Sequence, residues 1–298
     1  MNIRNPWLAA AILAAIAAPA AAQQNITKRA SVAREATIEV SNVQGSVKVT
    51  AWDKDEVELV AELESDKDEL EFEATPRMVR IEVDRPNSRY GRDQEDANLT
   101  LRVPRGARLI VDTVSADITV ADVRGEQDLE SVSGTVGTQA YDAPVKAASV
   151  SGDVTITGAG GRSAVTVENV SGTATVTGVR GSLEGEVVSG EIHATIAAAD
   201  HIDVSSVSGD ITVNAELTPS ASVEMESVSG TITLKIKPPV NADIDIESFS
   251  GDIENCFGPK ARSTSKFTPG SELSFTQGNG GARIELQTLS GEISVCDR

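Results

Sequence analysis

The ten residues "SSVSGDITVN" at 205–214 return with small changes as "AASVSGDVTI", "ESVSGTITLK", "ESFSGDIENC" and "QTLSGEISVC". Aligned on the Gly of the Ser-Gly pair, the chain gives Gly134, Gly152, Gly172, Gly190, Gly209, Gly230, Gly251 and Gly291. Ala116 fills the same slot in "DTVSADITVA", and Gly45 in "SNVQGSVKVT" marks a degenerate first copy. From Ala116 to Gly251 the intervals are 18, 18, 20, 18, 19, 21 and 21 residues. Self-similarity at a period near 20 constrains the fold strongly, because each repeat is too small to bury its own apolar face and must stack on the next.

The apolar residues keep the same register. Two residues after the glycine slot stand Ile118, Val136, Val154, Ala174, Ile192, Ile211, Ile232, Ile253 and Ile293. Four after it stand Val120, Ile156, Val176, Val213, Leu234 and Val295, so each "DITV" reads as a short strand with one buried face. Five before the slot stand Val111, Leu129, Val167, Val204, Met225, Ile246 and Leu286, which define a second strand. Two before it stand Val114, Val132, Val150, Val170, Val188, Val207, Val228, Phe249 and Leu289, and these too are expected to point inward. Apolar steps of three and four between the columns break strand parity, so the chain must turn there. Ser-Gly suits such a corner, since Gly reaches positive φ and Ser can bond the local backbone.

These features predict an all-β fold, a single-stranded parallel β-solenoid with coils of about 18–21 residues. An aromatic content of only 3% fits a narrow core of Val, Ile, Ala and Ser. A β-sandwich is the rival, but it would not require one residue type at one slot in every repeat. Residues 107–298 hold the repeats and a C-terminal cap, whereas 23–106 read as an irregular β-rich N-terminal cap. "RPNSRYGRDQEDAN" within that region reads as an exposed loop. Arg4, the apolar run "PWLAAAILAAIAAPAAA" and the small residues Ala20-Ala21-Ala22 predict a signal peptide over 1–22, cleaved before Gln23. The run is short for a membrane span and no basic stop-transfer follows, so a periplasmic or secreted protein without membrane insertion is expected.

Cys256 and Cys296 each stand five residues after their glycine, with an insertion-bearing interval between. If that interval is one coil, the two thiols share a column on neighbouring rungs, within reach of a structural disulfide. If it holds an extra full coil, they are too far apart. The net charge of −19 disfavours nucleic acid and anionic membrane surfaces.

The repeated "VSGDITV" phrases, the opening "IEVSNVQGSVKVTAWDKDEVEL" and the closing "GGARIELQTLSGEISV" resemble a bacterial domain-of-unknown-function family that carries the label "putative adhesin". The resemblance runs from about Thr37 to Val295. It implies a β-solenoid-like envelope protein and brings no catalytic residues, and Ala116 in place of Gly departs from its pattern at one corner.

Little in the sequence points to chemistry. The two histidines, His193 and His201, form no zinc-type spacing with the two cysteines. "GAGGR" at 158–162 lacks the Lys-Ser/Thr of a phosphate loop, and the repeated serines sit in no G-x-S-x-G motif. Two acidic ladders recur: Asp117, Thr135, Asp153, Thr173, Glu191, Asp210, Thr231, Asp252 and Glu292 after the slot, and Glu130, Glu168, Glu186, Glu226 and Glu247 four before it. Adjacent acids on stacked strands are an alternative Ca²⁺ site, but their spacing matches no EF-hand or glycine-rich nonapeptide repeat. No metal, cofactor or catalytic residue is therefore expected. The expected function is a non-catalytic scaffold or adhesin-like surface of the bacterial cell envelope, whose partner is an unspecified protein or cell-surface glycan. A polysaccharide-binding or polysaccharide-cleaving β-helix and a self-assembling filament are the alternatives; Trp52, Tyr90 and Tyr141 are too few for a repeated sugar platform.

Overall fold

The computed structural model describes residues 24–65, 68–84, 95–263 and 270–297. The predicted signal peptide and most of the "RPNSRYGRDQEDAN" segment, Tyr90 included, lie outside these residues. The molecule is all-β: the described residues form twenty-two strands and no helix. Each repeat contributes two passes, one on either side of the corner, and equivalent passes pair in parallel. Before the corner, Val111 pairs with Leu129, Leu129 with Ala147 and Ala147 with Val167. That column continues through Gly185, Val204 and Met225. After the corner, Ile118 pairs with Val136, and the column runs on through Val154, Ala174, Ile192, Ile211 and Ile232. Stacking puts like on like at about 4.8 Å, and β-branched side chains fill such ladders well. The inward columns of both passes form a single buried cluster.

One column points the other way. Val207 is 50% exposed and Phe249 62%, and Val114, Val132, Val150, Val170, Val188, Val228 and Leu289 are exposed with them. The inward residue at that turn is instead the one three before the glycine: Ser131, Ser149, Asn169, Ser206, Ser227, Ser248 and Thr288 are all buried. Strand parity therefore survives up to the corner, with residues five and three before the slot inward and residues four and two before it outward. On several rungs the small polar residue inside is bonded to the corner, whereas the hydroxyls of Ser227, Ser248 and Thr288 are buried without a bond. Ser131, Ser149 and Ser206 Oγ each accept the corner glycine's own N–H at 2.8 Å. The exposed serine just before the glycine continues the ladder through its backbone: Ser133, Ser151 and Ser208 donate N–H to the carbonyls of Val114, Val132 and Val188.

The glycines are required for closeness more than for positive φ. Only Gly45 and Gly230 among the corner glycines have positive φ, at 106° and 154°. A Cβ on Gly152, Gly190 or Gly209 would overlap the carbonyl oxygen of the corner glycine one rung back, Gly134, Gly172 and Gly190 respectively.

The rungs follow chain order only in the middle. The Gly230 rung is followed in space by the Gly291 rung, and the Gly251 rung lies beyond it: Met225 pairs with Leu286, and Leu286 with Ile246. The chain thus skips one place, lays down Ala242–Ser250, crosses it antiparallel as Ser271–Gln277, and returns as Ala282–Ser290 to fill the gap. Cys256 and Cys296 then fall on adjacent rungs and are joined by a disulfide, with Cα atoms 4.9 Å apart. The other end is built by the same device. Thr37–Trp52 pairs with Arg108–Ala121 on one side, and with Met78–Asp84 and Ala97–Pro104 on the other. Antiparallel strands Glu69–Ala74 and Glu56–Leu63 then cover that added rung, and Gln24–Ser31 flanks Glu56–Leu63.

Candidate functional site

Where the corners stack, the outer surface sinks into a trough of about 1160 Å³ that runs along the stacking direction from Asp112 to Phe249. Its apolar lining is the outward column: Val132, Val150, Val170, Val188, Val207, Val228, Leu289 and Phe249. Along one side runs the column four before the glycine, with Glu130, Glu168, Glu186, Glu226 and Glu247. Gly270, Ser271 and Glu272, from the segment that crosses the C-terminal rungs, line its far end. Strand geometry fixes this arrangement, since residues two and four before the slot share the outer face of one strand. Every rung therefore places an apolar side chain beside the residue of this column, which is acidic on most rungs and Ala148, Ser205 or Gln287 on the others.

A bland account of the exposed valines is β-propensity alone, because β-branched residues stiffen strands wherever they sit. Leu289 speaks against it, since leucine is neither β-branched nor aromatic yet occupies the slot, so what recurs there is apolarity. These side chains form one contiguous exposed apolar row across successive rungs.

The two acidic ladders have different roles. Asp117, Asp153 and Asp210 use Oδ1 to accept the backbone N–H of Thr135, Thr173 and Thr231 on the next rung, each at 2.8 Å. Thr135 Oγ1 adds a further bond to Asp117 at 2.9 Å. Wherever threonine follows aspartate on the next rung in this column, the aspartate supplies the acceptor for the threonine's N–H. The ladder on the trough is only partly neutralised. Lys146 Nζ lies 3.3 Å from both Glu130 and Glu168, reaching across the rung on which Ala148 leaves space. Near the N-terminal end, burial and the neighbouring Glu130 charge hold the carboxyls of Asp112 and Asp128 above the usual carboxylate range.

The other candidates named from the sequence fall elsewhere. Among the described residues, no group of histidine, cysteine and acidic side chains is placed to hold a metal ion. His193 is exposed, 3.0 Å from Glu191, and Gly160 in "GAGGR" takes φ 112° in the second turn of its rung. Trp52 donates to the Glu56 carbonyl and lies under Lys54 and Arg102, and the Tyr141 hydroxyl bonds Asp122 and Gln139, so neither ring lines the trough. The trough is hidden in the sequence because its apolar column reads as core. The pairing of an acidic slot and an apolar slot two apart is the signal that could have found it.

Parallel ladders, glycine corners and a continuous outer trough define a class of all-β repeat protein. The chain belongs to the Toastrack DUF4097 family, whose pattern it matches over residues 36–296. No curated protein matches it. Among solved structures it is similar to a "putative adhesin" from Bacteroides fragilis, at 15% identity over 92% of this chain and 98% of that one, with a TM-score of 0.48. A "putative adhesin" from Parabacteroides distasonis is similar at 13% identity, 92% and 98% coverage and a TM-score of 0.43. A "Putative lipid binding protein" from the same organism matches at 12% identity, 91% and 96% coverage and a TM-score of 0.38.

Proposed function

We propose that this chain is an exported, non-catalytic protein of the bacterial cell envelope, built as a single-stranded parallel β-solenoid whose outer trough is its contact surface. The observation that carries the reading is the row of apolar side chains two before each corner glycine, exposed on rung after rung. Unbroken parallel register from Ile118 to Ile232 supports the solenoid, and the apolar run after Arg4 supports export. The chemistry such a row offers is contact: it removes a partner's apolar surface from water, at about 25 cal/mol per Å² buried. Val188→Ser with Val207→Ser tests this. Binding of the purified protein to envelope fractions of the producing cells should fall at least tenfold, with the melting temperature nearly unchanged because both sites are exposed. Undiminished binding by a folded double variant would remove the trough from the function.

A further inference from the structure

We propose that the trough's C-terminal half takes a cationic amphipathic helix, with the helix's apolar stripe on the valine row and its Lys/Arg flank on the acidic row. The proposal deepens the contact-surface reading and rests on it. Its first support is charge. Glu186, Glu226 and Glu247 form no ion pair among the described residues, in contrast to Glu130 and Glu168, which share Lys146. Ser205 stands between Glu186 and Glu226 just as Ala148 stands between Glu130 and Glu168. The position corresponding to Lys146 on that rung, however, is Asp203, so the bridging cation is missing from the chain itself. At the end of the row Glu247 stands directly opposite Glu272, and the chain's own Arg262 stands opposite Glu272 on its other side, so the stretch without a cation of its own is the one about Glu186 and Glu226.

The second support is spacing. Glu186, Glu226 and Glu247 stand on every second rung, because the Gly209 and Gly291 rungs intervene. Two rungs span about 9.6 Å. One heptad of helix rises about 10.5 Å, so a cation once per heptad meets each carboxylate while two apolar residues per heptad meet the intervening valines. An extended peptide laid along the same axis repeats its facing side chains about every 6.7 Å and loses register with single rungs at once. An acyl chain would fill the apolar row, yet it would cover the flanking carboxylates without supplying any counter-charge. Only an occupant with an apolar stripe and a parallel cationic stripe satisfies both rows.

The test uses the purified protein and a fluorescein-labelled designed helix of about three heptads, with Leu at the two core positions and Lys at the flanking ones. Binding is expected, with a gain in helical circular dichroism and a steep loss of affinity with salt. A peptide with Glu replacing Lys should bind at least tenfold more weakly. Glu186→Gln with Glu226→Gln should weaken the Lys peptide severalfold and flatten its salt dependence, and Val207→Ser with Val228→Ser should abolish binding without loss of fold. Equal binding of the two peptides, or no response to the glutamine substitutions, would overturn the proposal. So would failure of the Lys peptide alongside valine-dependent binding of a fluorescent fatty acid. If the valine substitutions abolish envelope binding while no helical peptide binds, the contact surface stands and the helix is the wrong occupant. If they leave envelope binding intact, the contact reading itself fails.

Discussion

Gly209→Ala would drive a methyl group into the Gly190 carbonyl one rung back, and the backbone there has no slack because the same ladder bonds both neighbours. Overpacking of this kind costs about 1–3 kcal/mol, read as a fall in melting temperature. Gly209→Asn discriminates the cause. Asparagine tolerates positive φ, so it would be mild if φ were the requirement; close approach predicts that it is at least as harmful as alanine. Asp128 supplies a second test at this scale. Its Oδ1 is buried without a partner, and burial with the nearby Glu130 charge raises its pKa above 3.8. The folded state thus takes up the proton more readily than the unfolded one, so the ionised form opposes folding above the raised pKa. Asp128→Asn should raise the melting temperature at neutral pH. The gain should fade as pH falls through the raised value towards 3.8, and a gain that is constant with pH would refute the electrostatic cause.

The corner is the element on which the fold depends. Ser206 both accepts the Gly209 N–H and donates to the Gly209 carbonyl, and it is buried. Ser206→Ala strands a buried donor and should cost about 1–3 kcal/mol in denaturant unfolding. Ser227 and Ser248 hold the same position on later rungs with no bond to their hydroxyls, so Ser248→Ala should be neutral or slightly stabilising. The columns before and after the corner are legible in the sequence because period-two alternation and period-20 recurrence agree there. The corner itself is not. Valine two before the glycine looks like core by composition, and serine three before it looks like surface. Which of the two residues turns inward is set by strand parity running on to the corner, and hydropathy does not register it. The trough is lost with that column, although the acidic residues beside it are in plain view. The glycine slot stands out for a conformational reason that holds at Gly45 and Gly230, whereas close approach explains Gly152, Gly190 and Gly209.

At the scale of the whole molecule, the disulfide ties the Gly291 rung to the Gly251 rung across a sequence separation of 40 residues. A closed loop of that length is worth about 4 kcal/mol in the chain-entropy account. Cys256→Ser with Cys296→Ser should lower the melting temperature, and hydrogen exchange should show residues 242–255 and 282–296 opening together, ahead of the central rungs. Uniform loss of protection along the chain would mean that the C-terminal rungs are no separate unit. The return of Ala282–Ser290 between two earlier segments has a wider consequence. Each end of the molecule is locked by a strand that arrives out of turn, so a repeat cannot be added or lost there without undoing the lock. Between Ala116 and Gly230 every rung follows its predecessor, and a repeat can be duplicated or deleted with both locks intact. The protein's length is therefore set from its middle, in steps of about 4.8 Å, and the reach of its trough with it.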